Sequence, residues 1–326
     1  MAQRSAASTV PKKYQQMKIL ITGGAGYIGS ILAEQLLARG DQVHVVDSLI
    51  HGDHCLFQLC ANPNFEFTRG DVRDREMLLR AAKDADVIIP LAALVGAPIC
   101  ARDPRAAKAI NYEAVVELAK LRSPSQLVIY PNTNSGYGIG TGDAFCTEDS
   151  PLEPISVYGR TKCDAELALL EQQNVITFRL ATVFGASPRM RIDLLVNHFT
   201  YCAVTDGYLV VFEKHFKRNY VHIRDVADCM LYAMDNRQKM VGRSFNLGLD
   251  NANLTKQQLC EKIQEYVPKF FVHYAEIGED PDKRDYVVSN QRLREAGFEA
   301  RRGLDVGIPE LVKAYRTLPL GRYRNA

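Results

Sequence analysis

The chain has 326 residues, 47% of them hydrophobic and 24% charged, which at roughly 150 residues per domain makes about two domains, or one large α/β unit with a smaller lobe. That usage excludes a disordered, collagen-like or coiled-coil chain. Lys plus Arg total 40 against 38 for Asp plus Glu, and a net charge of +2 provides no field to gather nucleic acid or an anionic membrane. An anionic ligand must therefore be held locally.

No apolar run reaches the roughly 18 residues of a membrane span, and the first sixteen residues lack the hydrophobic centre of a signal peptide. The eight cysteines form no CxxC pair and several sit in apolar segments, a pattern that fits a reducing compartment and a cytoplasmic protein. His51, His54, Cys55 and Cys60 are the only clustered metal-type ligands, and a polar loop opening a helix accounts for them without a metal.

Met1 to Gln16, with three basic and no acidic residues, reads as a disordered tail. Short β-branched runs then alternate with helical patterns, the signature of βαβ units in a doubly wound parallel sheet of Rossmann type. The runs are Lys18–Thr22, Gln42–Val46, Phe65–Arg69, Val87–Leu91, Gln126–Tyr130 and Val175–Leu180; helices are expected near 27–39, 74–83, 106–122 and 158–172. Beyond Leu180 the alternation weakens, with helices expected near 192–203, 224–235, 255–267, 290–296 and 305–316. Ser244–Leu247 is a short strand able to return to the sheet. The expected division is a dinucleotide-binding domain at 17–185 plus about 220–248, interleaved with a smaller lobe at about 186–219 plus 249–326.

The first strand runs into Gly23-Gly24-Ala25-Gly26-Tyr27-Ile28-Gly29 and a helix follows. In that context the glycines allow a tight turn, close approach of a pyrophosphate at Gly26, and close helix–strand packing at Gly29. Asp47 ends the second strand, where a carboxylate accepts hydrogen bonds from an adenosine ribose and repels a 2′-phosphate. NAD is the expected cofactor, favoured over NADP. Tyr158 and Lys162 stand four apart at the start of a helix, so they share a face, and an ammonium beside a phenol lowers its pKa toward that of a working base. Alone such a pair also fits an ordinary surface. Its context is Pro131-Asn132-Thr133-Asn134-Ser135-Gly136-Tyr137-Gly138 beyond the fifth strand, at the sheet end that lines a cofactor crevice.

In order along the chain stand the glycine loop, Asp47, Gly70-Asp71-Val72-Arg73, Leu91-Ala92-Ala93, the hydroxyl cluster and Tyr158/Lys162. From Met17 to about Arg316 the sequence resembles the extended short-chain dehydrogenases/reductases of the nucleotide-sugar epimerase/dehydratase family. The resemblance implies Tyr158 as base, Lys162 as its partner on the nicotinamide ribose, and Thr133 as the hydroxyl at the sugar O4. It places Gly23, Gly26, Tyr27, Ile28, Gly29, Asp47, Asp71, Val72, Leu91, Ala92 and Ala93 along NAD, with Asp71 and Val72 at the adenine. Asn134, Ser135, Arg189, Arg191, Arg218 and Arg284 are the implied substrate contacts; Arg218 would hold the diphosphate and Arg284 would be a second clamp, since a guanidinium fork grips phosphate oxygens in pairs.

The resemblance also implies a homodimer through the 106–122 and 158–172 helices, which carry Val115, Val116, Leu118, Leu121, Leu167, Leu169 and Leu170 beyond one stripe. Segments around Pro90–Pro98, Tyr130–Gly140 and Ser187–Phe199 look like the branch containing GDP-heptose 4-dehydrogenases. The implied reaction is oxidation at C4 of a nucleotide-linked sugar, with C4 epimerisation as the alternative. Dehydration is disfavoured because Asn134-Ser135 replaces the Asp-Glu pair of the family's 4,6-dehydratases. A non-catalytic NAD sensor on the same fold is disfavoured because base, lysine and hydroxyl are all present.

Overall fold

Seven strands pair in parallel into one sheet: β1 (Lys18–Thr22), β2 (Gln42–Asp47), β3 (Phe65–Arg69), β4 (Val87–Pro90), β5 (Leu127–Thr133), β6 (Val175–Leu180) and β7 (Arg243–Leu247). Their spatial order is β7-β6-β5-β4-β1-β2-β3. The order reverses between β1 and β4, so the crevice beyond their C-terminal ends is where a ligand enters such a sheet. This computed structural model describes residues 15–139, 145–277 and 284–317. Of the expected tail, all but Gln15 and Gln16 lies outside the described residues.

Near-continuous apolarity in the strands has a direct cause. Successive side chains point to opposite faces, and both faces are covered: Ile19, Ile21, Val43, Val45, Val87 and Ile89 join one core cluster, while Leu20, Val46, Ile88, Val128 and Tyr130 join the other. The first cluster runs on through Phe184, Phe199, Tyr220, Leu259 and Ile308, so the segments after β6 share a core with the sheet. Gly40 closes the Tyr27–Arg39 helix in the left-handed region, its N–H reaching the Leu36 and Leu37 carbonyls.

Several elements differ from expectation. β5 extends to Thr133 because its pairing with β6 continues to Thr133↔Leu180, whereas β4 pairs only as far as Val128. Pro131, with no N–H, sits where one side of the strand has lost its neighbour. The expected 106–122 helix is three pieces, Pro104–Lys108, a π-turn at Ala109–Glu113 and Ala114–Leu121. Beyond β6 lie unexpected short strands: Thr182–Phe184 beside Lys217–His222, which also pairs with Asn253–Thr255, and Tyr208–Phe212 beside Phe271–Ala275. Arg218, Asn219 and His222 are buried in these strands as hydrogen-bonding polar groups, so the sequence shows no apolar alternation there. On the two helices expected to dimerise, Val115, Leu118 and Leu169 are consumed by the chain's own core; Leu167 is 54% exposed.

Candidate active site

The glycine loop is shaped by close backbone approaches. Gly23 has φ +78°, and a Cβ on it would stand 2.5 Å from the Ala92 nitrogen; a Cβ on Gly29 would stand 2.6 Å from the Gly23 oxygen. Gly26, which begins the helix, has only the Gly23 oxygen within reach of such a Cβ, so the space before the helix N-terminus is open to an anion. Asp47 is fixed beside it, Oδ2 accepting from the Ala25 N–H at 3.0 Å and Oδ1 from Leu49 N–H at 2.8 Å. Leu91 N–H bonds the Thr22 carbonyl, which sets Leu91-Ala92-Ala93 across the crevice. Val72, Thr22, Pro90, Ala92, Ile110 and Val115 line a small apolar cleft next to it. Asp71 is bound by Arg73, Nε at 2.9 Å and Nη2 at 2.5 Å, which holds its carboxyl below the ordinary range.

These features fit NAD: a glycine cradle at a helix N-terminus and a carboxylate held beside it at the end of the second strand. Ile28 is half-buried against the core. Tyr27 is buried; its hydroxyl donates to the Gly185 carbonyl at 2.7 Å and accepts from Asn197 Nδ2 at 3.1 Å.

Thr133 ends β5 and caps the Asn134–Tyr137 turn. Its Oγ1 accepts from Ser135 N–H at 3.1 Å and donates to Ser135 Oγ at 2.9 Å. Arg284 Nη1 donates to the same Ser135 Oγ. Asn134 is buried, and neither atom of its amide meets a hydrogen-bond partner. Ser156 caps the Val157–Leu170 helix through the Gly159 N–H, and Tyr158 and Lys162 follow one turn apart on it.

Their electrostatics correct the simple expectation of a lowered phenol. Burial pushes Tyr158 up to about 12, opposed by the Arg191 and Arg284 guanidinium groups. Burial likewise pushes Lys162 down to about 7, and its ammonium sits 4.0 Å from the Tyr130 ring centroid. Burial is thus the largest influence on the Tyr158 phenol, and of the charges bearing on it the Arg191 and Arg284 guanidinium groups act in the direction expected of Lys162.

The expected substrate arginines divide. Arg284, expected at a diphosphate, meets Ser135 and bears on Tyr158 at the hydroxyl turn. Arg191 also bears on Tyr158 and is paired with Asp193, Nε–Oδ1 3.2 Å and Nη2–Oδ2 2.5 Å. Arg189 is buried, donates to the Met190 carbonyl, and lies within electrostatic reach of Asp47 and Cys55, toward the cofactor crevice. Arg218 is buried, donates to the Lys217 carbonyl at 2.9 Å and stacks 5.7 Å from the Tyr286 ring. Sequence reasoning missed Asn111. Fully buried in the π-turn, it bonds both backbone groups of Leu94, at 2.8 and 2.9 Å, and faces Thr161, tying the crevice loop to the Tyr158 helix. The available signal was a lone asparagine inside an apolar helical run, where its propensity is poor.

A switch-point crevice with a glycine cradle, beside a Tyr-x-x-x-Lys helix and a hydroxyl turn, defines a dinucleotide-dependent oxidoreductase of the short-chain type. The chain belongs to the NAD dependent epimerase/dehydratase family, which its residues 19–248 match. It is 27% identical over 310 residues to the low-salt glycan biosynthesis protein Agl12 of Haloferax volcanii, covering 92% of this chain and 98% of that one. Among solved structures it resembles a UDP-glucose 4-epimerase with UDP-glucose from Thermotoga maritima, TM-score 0.80 and 25% identity over 92% of this chain and 99% of the other. It also resembles DesIV, a dTDP-glucose 4,6-dehydratase from Streptomyces venezuelae with NAD bound, TM-score 0.81 and 25% identity over 92% and 97%. It is accordingly an NAD-dependent enzyme. Among the described residues no helix is long and apolar enough to cross a membrane.

Proposed function

We propose that the chain oxidises C4 of a nucleotide-linked sugar, giving a 4-keto sugar, with a GDP-linked heptose as the first substrate to test. The observation that carries this reading is the meeting of the Thr133 and Ser135 hydroxyls with Arg284 at the end of β5, with Arg284 and Arg191 both bearing on Tyr158. Bound NAD supplies the hydride acceptor. Thr133 holds the sugar O4 by hydrogen bond, and Tyr158, once its own phenolic proton has passed to solvent, takes the O4 proton. Arg191 and Arg284 stabilise the negative charge that the phenol oxygen carries as base. Lys162, a turn further on, holds the nicotinamide ribose.

Epimerisation at C4 is the second reading, favoured by the likeness to a UDP-glucose 4-epimerase; it needs the same first step and then return of hydride to the other face. Dehydration requires an acid and a base near C5 and C6. Asn134 has an amide with no accessible pKa, and the Ser135 hydroxyl is held between Thr133 and Arg284, so neither supplies them. The test is Tyr158→Phe assayed on a panel of GDP- and UDP-sugars. Turnover is expected to fall at least about 100-fold, the scale of a lost general base, with NAD affinity unchanged in a fluorescence titration. Wild-type turnover in that variant would overturn the assignment of the base.

A further inference from the structure

We infer that Glu166 and Arg179 are positioning residues: a buried ion pair that fixes the Thr133 hydroxyl turn against the helix carrying Tyr158. The inference deepens the proposed function and rests on Thr133 and Tyr158 acting on one substrate.

Glu166 continues the face of Tyr158 and Lys162 by one more turn and is fully buried. Its Oε1 accepts from Thr177 Oγ1 at 2.6 Å, and its Oε2 accepts from Asn132 Nδ2 at 2.7 Å and from Arg179 Nε at 3.0 Å. Arg179 Nη1 donates to the Tyr137 hydroxyl at 3.1 Å and the Glu148 carbonyl at 2.9 Å. The Tyr137 hydroxyl donates in turn to Asn246 Oδ1 at 2.6 Å. Asn132 immediately precedes Thr133, and Tyr137 closes the Asn134–Tyr137 turn. Both ends of the hydroxyl segment are therefore attached to one carboxylate–guanidinium pair, and the carboxylate stands on the helix that holds the base.

An apolar contact at this place would hold the elements together without fixing their register. Charged groups with directional bonds fix it, and a buried ion pair is a poor device for stability alone. Placement matters at this point because a misplacement of about 1 Å between reacting groups costs on the order of 100-fold in rate.

The experiment uses whole-length enzyme and the nucleotide sugar turned over in the panel. Glu166→Gln and Tyr137→Phe are expected to lower kcat roughly tenfold or more, with KM and NAD affinity unchanged, at a temperature where circular dichroism shows both folded. Thr133→Ala is expected to lower kcat by itself. In that background the two variants are expected to cost little more, because the hydroxyl they position is gone. Additive losses, a matching rise in KM, or activity that follows the folded fraction would each overturn the proposal. Should Glu166→Gln not fold, Tyr137→Phe, which keeps the ion pair, decides alone. Wild-type turnover in both Thr133→Ala and Tyr158→Phe would mean that the site itself is misassigned, and the positioning role falls with it. Impaired Thr133→Ala and Tyr158→Phe beside unimpaired Glu166→Gln and Tyr137→Phe would sink the positioning role alone.

Discussion

Asp47 works by holding still. Both its oxygens are engaged by backbone N–H groups of the glycine loop and of Leu49, and we propose that this holds a negative charge where the adenosine ribose of NAD is to sit. A 2′-phosphate brought there meets that charge directly. NAD is expected to bind at least about tenfold tighter than NADP, the scale of one unfavourable charge contact in a partly buried site. In Asp47→Ala the gap should narrow; a wild-type preference for NADP in a binding titration would contradict this role.

Lys162 gives a second residue-scale prediction. Its pKa falls from 10.5 to about 7 on burial, so between those values the unfolded chain binds the proton and the folded chain does not. Stability must then rise with pH through that window. The contribution is about 1.4 kcal/mol per pH unit at most, and it should be missing in Lys162→Met. The check is urea unfolding of the cofactor-free protein between pH 7 and 10. Parallel curves for the two proteins would show that the lysine is not desolvated as described.

Elements differed in how far the sequence disclosed them. The sheet strands were legible because both faces are covered and apolarity runs unbroken, as in Lys18–Thr22. The glycine loop was legible because close approach at Gly23 and Gly29 admits no side chain. The Lys217–His222 strand was not, since it buries polar side chains whose partners exist only in the fold, Asn219 Nδ2 on the Leu249 carbonyl and His222 against Glu310. The π-turn at Ala109–Glu113 was hidden for a related reason: Asn111 is held by Leu94, a partner seventeen residues away in the chain. The 158–172 helix carries the dimer expectation in reduced form, because Leu169 is spent internally and Leu167 is left exposed. We propose that Leu167, with the partly buried Val116, Leu121 and Leu170, meets a second copy. Light scattering at micromolar concentration should give twice the mass of the 36.5 kDa chain, and Leu167→Glu should shift it toward the monomer. A single-chain mass for the wild type would count against this.

At the scale of the whole molecule, one core cluster joins the sheet to the segments beyond β6, and the two parts meet at Gly185–Ser187. There Tyr27 and Asn197 hold Gly185, and Glu310 holds the Ala186 N–H. We propose the division anticipated from the sequence, a dinucleotide-binding unit interleaved with a substrate lobe, since β7 returns to the sheet after the Arg189–Arg218 stretch. Which arginine faces which part of a substrate was not legible. Arg284 and Arg218 each follow a lysine in the chain, and only folding puts the first at Ser135 and the second beneath Tyr286.

The central claim, oxidation at C4 without loss of water, is tested most directly by mass spectrometry of products formed from GDP- and UDP-sugars in deuterated water. Oxidation at C4 is expected to give a 4-keto product two mass units lighter than the substrate, formed in step with reduced cofactor, or, on the second reading, a C4 epimer of unchanged mass. Loss of eighteen units with deuterium gained at C5 would show dehydration, and would contradict what is concluded from Asn134 and Ser135.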